Sequence, residues 1–212
     1  MIFNGITALD AIGPYEVFRS VPGWTVEFVA PEAGTVRTES GALGLVADRA
    51  LGDVASADVV LVPGGAGNRP LLADGAVLSW LRDLDRETRW TTSVCTGSLV
   101  LGAAGLLQGK RATGHWLYLD PLRAYGAEPV SERYVEDGKV ITAAGVAAGI
   151  DMALYLVGRE AGAETAERVQ LAIEYDPAPP FDAGSPAKAP AAVVDAVAAA
   201  ARLPKWRLEL PE

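Results

Sequence analysis

The stretch WTTSVCTGSLVLGAAGLL, residues 90–107, changes its periodicity at one residue. Trp90 to Val94 is rich in β-favouring residues and reads as a strand. It stops at the small-residue turn Cys95-Thr96-Gly97-Ser98, and the apolar residues from Leu99 to Leu107 continue as a helix. The same grammar recurs upstream. A strand over Asp58 to Val62 ends abruptly in Pro63-Gly64-Gly65-Ala66-Gly67, and helical spacing of Leu71, Leu72, Val77, Leu78 and Leu81 follows.

Working outward, Met1 to Phe3 is an apolar first strand, and Gly13-Pro14 opens a helix with Pro in its first turn. Thr25 to Ala30 reads as a strand, with weaker strands at Thr35 to Thr38 and Leu45 to Ala47. His115 to Tyr125 predicts a short helix. Strands over Val130 to Val135 and Lys139 to Ala143 flank a turn at Asp137-Gly138, and helices cover Ile150 to Glu160 and Ala166 to Glu174. Strands alternating with helices of about 10 to 15 residues imply βαβ units. The expected fold is α/β, a three-layer sandwich with a mostly parallel central sheet. From Asp176 to Pro190 the chain is proline-rich and reads as an extended segment lying over the surface or a partner, closed by an Ala-rich helix from Pro190 to Arg202.

Composition bounds the function. Of 212 residues half are hydrophobic and 21% charged, enough for one full core, so we expect a single domain over 1–212 with a Pro-rich C-terminal extension at 176–212. A net charge of −9 with scattered basic residues argues against nucleic acid or an anionic membrane as partner. The opening MIFNGITALD has no basic region ahead of an apolar one, and no segment approaches the ~20 apolar residues of a membrane span, so a cytoplasmic location is expected. One cysteine, Cys95, and one histidine, His115, exclude an internal disulfide framework and a typical structural zinc site.

In parallel sheets ligands bind beyond the carboxyl ends of the strands, and three strand endings carry chemistry there. Cys95 occupies what resembles a nucleophile elbow, where the N-terminus of the next helix favours a thiolate and lowers the thiol pKa; the alternative is a small buried apolar residue. Gly64 and Gly65 either offer backbone N–H groups that join Thr96 N–H in an oxyanion hole, or simply make a tight turn. Asp10, between Leu9 and Ala11, is either a partly buried acid or base with a raised pKa, or a charge serving a helix N-terminus. His115 either assists Cys95 or caps a helix and packs on Trp116. Glu16 reads as a solvated-face residue and Asp151 as a first-turn charge.

With these residues in view, the chain resembles the ThiJ/PfpI superfamily, whose fold is class I glutamine amidotransferase-like (flavodoxin-like), and within it the isonitrile hydratase branch. The similar motifs are Leu9-Asp10-Ala11-Ile12-Gly13-Pro14, Val62-Pro63-Gly64-Gly65, Thr92-Ser93-Val94-Cys95-Thr96-Gly97-Ser98 running on to Gly109, His115-Trp116, Ala148-Gly149-Ile150-Asp151, and the tail Glu174-Tyr175-Asp176-Pro177-Ala178-Pro179-Pro180-Phe181. The elbow marks the superfamily, while the tail and the Cys95-Thr96 pair mark the branch. The resemblance implies Cys95 as nucleophile and Asp10 as the carboxylate touching it, where many members carry Glu. Thr96 stands where protease-like members carry His, which weakens a Cys-His hydrolase; His115 stands where other branches place a pocket histidine. The chain departs from the family in a short first strand ahead of Asp10. The implied activity is hydration of an isonitrile to an N-substituted formamide through a covalent thioimidate. Gly65 N–H and Thr96, by its N–H and hydroxyl, would steady the charge, with water as co-substrate, no metal or organic cofactor, and a homodimer as the assembly. The alternatives are a small-aldehyde enzyme of the glyoxalase type, using His115 with Cys95, and a redox or ligand sensor without turnover.

Overall fold

The computed structural model describes residues 1–201. From the N-terminus, α1 (Ala8–Phe18) precedes β1 (Val29–Ala30), the hairpin of β2 (Gly34–Arg37) and β3 (Gly44–Ala47), and β4 (Arg49–Ala50). Then come β5 (Val59–Val62), a 3-10 stretch at Ala66–Ala73, α2 (Gly75–Glu87), β6 (Trp90–Val94) and α3 (Gly97–Ala103). Short strands β7 (Arg111–Ala112) and β8 (Glu128–Pro129) flank two 3-10 turns. The order ends with β9 (Tyr134–Asp137), β10 (Val140–Ala143), α4 (Ala148–Ala161), α5 (Ala163–Ala172) and α6 (Ala191–Ala201).

The central sheet has the order β5-β6-β10-β9. β5, β6 and β10 are parallel and β9 is an antiparallel edge. Val62 lies beside Ser93 and Ala143 beside Val94, so the parallel strands finish level with one another. β6 is buried along its whole length, as a central strand covered on both faces must be. Its hydroxyls therefore need internal partners: Thr92 Oγ1 donates to Val60 O at 2.9 Å and Thr91 Oγ1 to Asp85 Oδ1 at 2.5 Å. On one face Leu81, Leu99 and Leu101 pack with Ile2 and Ile6; on the other Val17, Met152 and Leu156 pack against Val94 and Ile141. The architecture is the expected three-layer α/β sandwich. No helix among the described residues is long and apolar enough to cross a membrane.

Several boundaries differ from the sequence expectations. Gly13-Pro14 lie inside α1, which begins at Ala8 and carries Asp10 in its first turn. Gly13 is used for packing, since a Cβ there would come within 2.9 Å of Ile150 Cγ1. Met1 to Phe3 is buried and extended, with Ile2 N donating to Val29 O, but forms no regular ladder. Of the strand expected over Thr25 to Ala30 only Val29–Ala30 pairs, with Arg49–Ala50. The His115 to Tyr125 helix is two 3-10 turns, the second opened by Pro121. α3 stops at Ala103, ahead of Gly105 at φ +81. The segment expected as one strand over Val130 to Val135 joins the central sheet only from Tyr134, and Val130 N instead donates to Ala112 O at the end of β7. The proline-rich segment carries no regular helix or strand, and α6 matches the expected final helix; Arg202 and the rest of the 176–212 extension lie outside the described residues.

Helix α3 is held against the sheet at Gly97, where a Cβ would sit 2.0 Å from Val62 O. Gly97→Ala is expected to destabilise the protein by about 3 kcal/mol or more, because the obstructing atom is backbone. Gly75→Ala, where a Cβ meets nothing within 4 Å, should change stability by less than about 1 kcal/mol. Urea unfolding of the two variants checks the contrast.

Candidate active site

β6 delivers Cys95 to the sheet edge at φ +60, the left-handed region that non-glycine residues seldom occupy. The surroundings hold this strained turn. Cys95 N donates to Ala144 O at 2.8 Å and to Ala143 O at 3.1 Å, and Ser98 Oγ donates to Cys95 O at 3.2 Å. The side chain is 6% exposed, and the backbone N–H groups of Thr96 and Val146 face its sulfur.

Asp10 reaches the same point from the first turn of α1 and is fully buried. Its Oδ2 accepts from Gly64 N at 2.8 Å, while Oδ1 has no well-formed hydrogen bond. The carboxyl lies against the Cys95 thiol. Burial raises the Asp10 pKa to about 7, outweighing the Gly64 N–H bond, and the charge of Glu39 pushes the same way. Burial also pushes the Cys95 thiol up, with the Asp10 charge adding to it. This reverses the expected lowering: the amides of Thr96 and Val146 favour the anion, but removal from water outweighs them. The two groups are one titrating unit. A single negative charge on the pair is held either as carboxylate with thiol or as neutral acid with thiolate, the two forms differing by one proton transfer.

Gly64 is required by crowding, because a Cβ there would lie 2.6 Å from Thr96 N and 2.9 Å from Cys95 Cβ. Gly65 has φ +133, and a Cβ would meet Gly5 O at 2.4 Å. Its N–H donates to Thr96 Oγ1 at 3.1 Å, so it is engaged rather than open to a ligand, and the Thr96 hydroxyl proton is left to donate elsewhere. Two contributors carry no sequence signal. Asn68, fully buried, donates from Nδ2 to Thr96 O at 2.9 Å and ties the β5 turn to the elbow. Val146, at φ +22, brings the loop after β10 to the sulfur.

Cys95, Thr96, Gly65 and His115 line one cavity of about 320 Å³, with Glu39 and Tyr118 also in its wall. Asp10 lies beneath, shielded from solvent. His115 caps the turn that follows it, Nδ1 accepting from Leu117 N at 3.3 Å, and its ring stacks on Trp116. Burial lowers its pKa, so the imidazole is neutral near pH 7 with its proton on Nε2. The cap and the packing on Trp116 are what the structure shows for His115, which also lines the cavity. Asp151, in the first turn of α4, bonds Arg133 and accepts from Tyr175 OH at 2.9 Å. Glu16 pairs with Arg19 at the surface.

Residues 1–159 match the model of the DJ-1/PfpI family. Over 213 aligned residues the chain is 49% identical to the isonitrile hydratase of Pseudomonas putida, covering 100% of this chain and 93% of that protein. It is 37% identical to the HTH-type transcriptional regulator CdhR of Pseudomonas aeruginosa, over 66% of this chain and 42% of that one. Among solved structures, a ThiJ/PfpI family protein from Pseudomonas syringae superposes with a TM-score of 0.91 at 39% identity, covering 94% of this chain and 83% of its own.

The raised Asp10 pKa is a statement about stability. The folded state keeps a proton up to about pH 7 that the unfolded chain releases near the ordinary carboxyl value of 3.8. The wild type should therefore lose stability relative to Asp10→Asn as pH rises from 4 to 7, by an amount of order 2–4 kcal/mol. Urea unfolding of both proteins at pH 4, 5.5, 7 and 8 reads the difference; a pH-independent gap would contradict the assigned burial effect.

Proposed function

We propose that this chain, which belongs to the DJ-1/PfpI family, hydrates isonitriles to N-substituted formamides by covalent catalysis at Cys95. The observation that carries the proposal is the 49% identity to an isonitrile hydratase along the whole chain. A buried acid–thiol pair suits that substrate, because the terminal carbon of R–N≡C must gain both a nucleophile and a proton.

In the proposed sequence Asp10 takes the thiol proton as Cys95 Sγ bonds to the terminal carbon, then delivers that proton to the same carbon, giving the thioimidate R–N=CH–S. The carboxylate so regenerated removes a proton from water as its oxygen adds to this carbon and passes that proton to the nitrogen, leaving the hydroxyl proton to go to sulfur in the next step. Collapse of the tetrahedral adduct breaks the C–S bond, returns a proton to sulfur and releases R–NH–CHO. The balance is one isonitrile and one water consumed, one formamide formed. Thr96 N–H and Val146 N–H stabilise charge on sulfur, and the Thr96 hydroxyl, anchored by Gly65 N–H, donates to the adduct. Gly64 fixes the carboxyl of Asp10. His115 is a neutral wall and donor; a glyoxalase-type use of it with Cys95 is less well supported, since its Nδ1 is engaged by Leu117 N. The proposed working form is a cytoplasmic homodimer, and the exposed Leu171 and Phe181, 81% and 79% accessible, are apolar surface such an assembly would cover.

Cys95→Ala should abolish formamide production from an alkyl isonitrile, and Asp10→Asn should lower kcat by at least about 100-fold. The active pair needs its one negative charge, so kcat/KM is expected to rise with pH through about 7 and then level off. Formamide quantified between pH 5 and 9 tests this, and a rate indifferent to Cys95 would remove the mechanism.

A further inference from the structure

We infer, resting on the isonitrile hydration proposed above, that α6 forms the subsite for the substrate's R group and selects compact, uncharged, apolar groups. Val197, Ala200 and Ala201 line the cavity that holds Cys95. Spaced i, i+3 and i+4, they form one face of the helix. An isonitrile is linear through C, N and the first atom of R. With its carbon at the sulfur of Cys95, a buried residue that lines the cavity, R must project away from the floor of the cavity and into its walls.

Those walls are chemically one-sided. Among the described cavity residues Glu39 is the charged side chain, and none of them is Lys or Arg. Together with the negative charge of the Asp10–Cys95 pair, Glu39 opposes an anionic R group. The α6 face adds two methyl groups and an isopropyl group, which supply apolar contact while leaving room for a compact substituent. α6 also lies beyond the 1–159 region matched by the family model, so the reacting residues and the apolar face of the subsite come from different parts of the chain. No described residue of α6 is fully buried, and substitutions on it leave the core untouched.

The test compares kcat/KM for methyl, benzyl and 2-naphthylmethyl isonitrile, and for isocyanoacetate against its methyl ester. Ala200→Phe should lower the benzyl-to-methyl ratio at least about tenfold, whereas Asp195→Asn, away from the lining face, should leave that ratio unaltered. The wild type should favour the ester over the carboxylate by at least about tenfold, and Glu39→Gln should narrow that preference. A turnover-independent measurement separates the two claims: the rates at which iodoacetamide and its N-benzyl analogue alkylate Cys95, followed by mass spectrometry. If no isonitrile is turned over but Ala200→Phe still slows the benzyl reagent selectively, the function fails and the subsite stands. If Ala200→Phe moves neither ratio, or the carboxylate is accepted as readily as its ester, the subsite is overturned.

Discussion

The hydrogen bond from Gly64 N–H to the Asp10 carboxyl, 2.8 Å long and wholly buried, is the joint on which the site depends. It ties the first turn of α1 to the end of β5, and the same carboxyl lies against the thiol at the end of β6. Three elements distant in sequence thus meet on one acid group. The close approach leaves no room for a side chain at Gly64, and the next peptide, Gly65 N–H, anchors Thr96. Thr96 is fixed again from behind by Asn68, whose own amide N–H donates to Gly65 O at 3.1 Å, so the β5 turn is braced against the elbow on both sides.

This packing makes the electrostatics. The position that lets Asp10 touch the sulfur also strips its water, and a single amide bond does not compensate for that loss. Asp10 therefore titrates near neutrality, where a carboxyl can both take up and give back a proton. Cys95 is raised for the same reason, so the site does not store a free thiolate. In the proposed mechanism the nucleophile is made by moving a proton from the Cys95 thiol to the Asp10 carboxylate that lies against it. The left-handed Cys95 backbone belongs to the same device: it turns the strand at a point where Thr96 N–H and Val146 N–H both reach the sulfur.

Much of this was legible in the residues. Strong strand-to-turn-to-helix grammar at Val59–Gly67 and Trp90–Leu107 places the layers, because buried parallel strands and their following helices leave unmistakable apolar runs. Cys95, Asp10 and Gly64 stand at strand or helix ends where chemistry is expected. What was hidden has physical causes. The start of α1 was displaced by Gly13-Pro14, a pair that ordinarily opens helices but serves here for contact with Ile150 and α4. The direction of the thiol's shift is hidden because a helix N-terminus is local and visible in sequence, whereas desolvation is a property of the assembled core. Asn68 and Val146 act through an amide side chain and a backbone N–H, which leave no pattern in sequence.

The Gly65 N–H shows how far a motif alone carries. Two glycines after a strand offer two amides, and both are consumed inside the protein, one by Asp10 and one by Thr96. In the proposed mechanism, stabilisation of charge therefore falls to the Thr96 hydroxyl and the amides facing sulfur. A hydroxyl held as acceptor by Gly65 N–H has its proton free to point elsewhere, and it does so without the entropy cost of an unanchored side chain. Replacing either glycine would act through the placement of Thr96 and Asp10 rather than through a lost contact with substrate. The glycine pair is thus better understood as scaffolding for an acid and a hydroxyl than as an oxyanion hole in its own right.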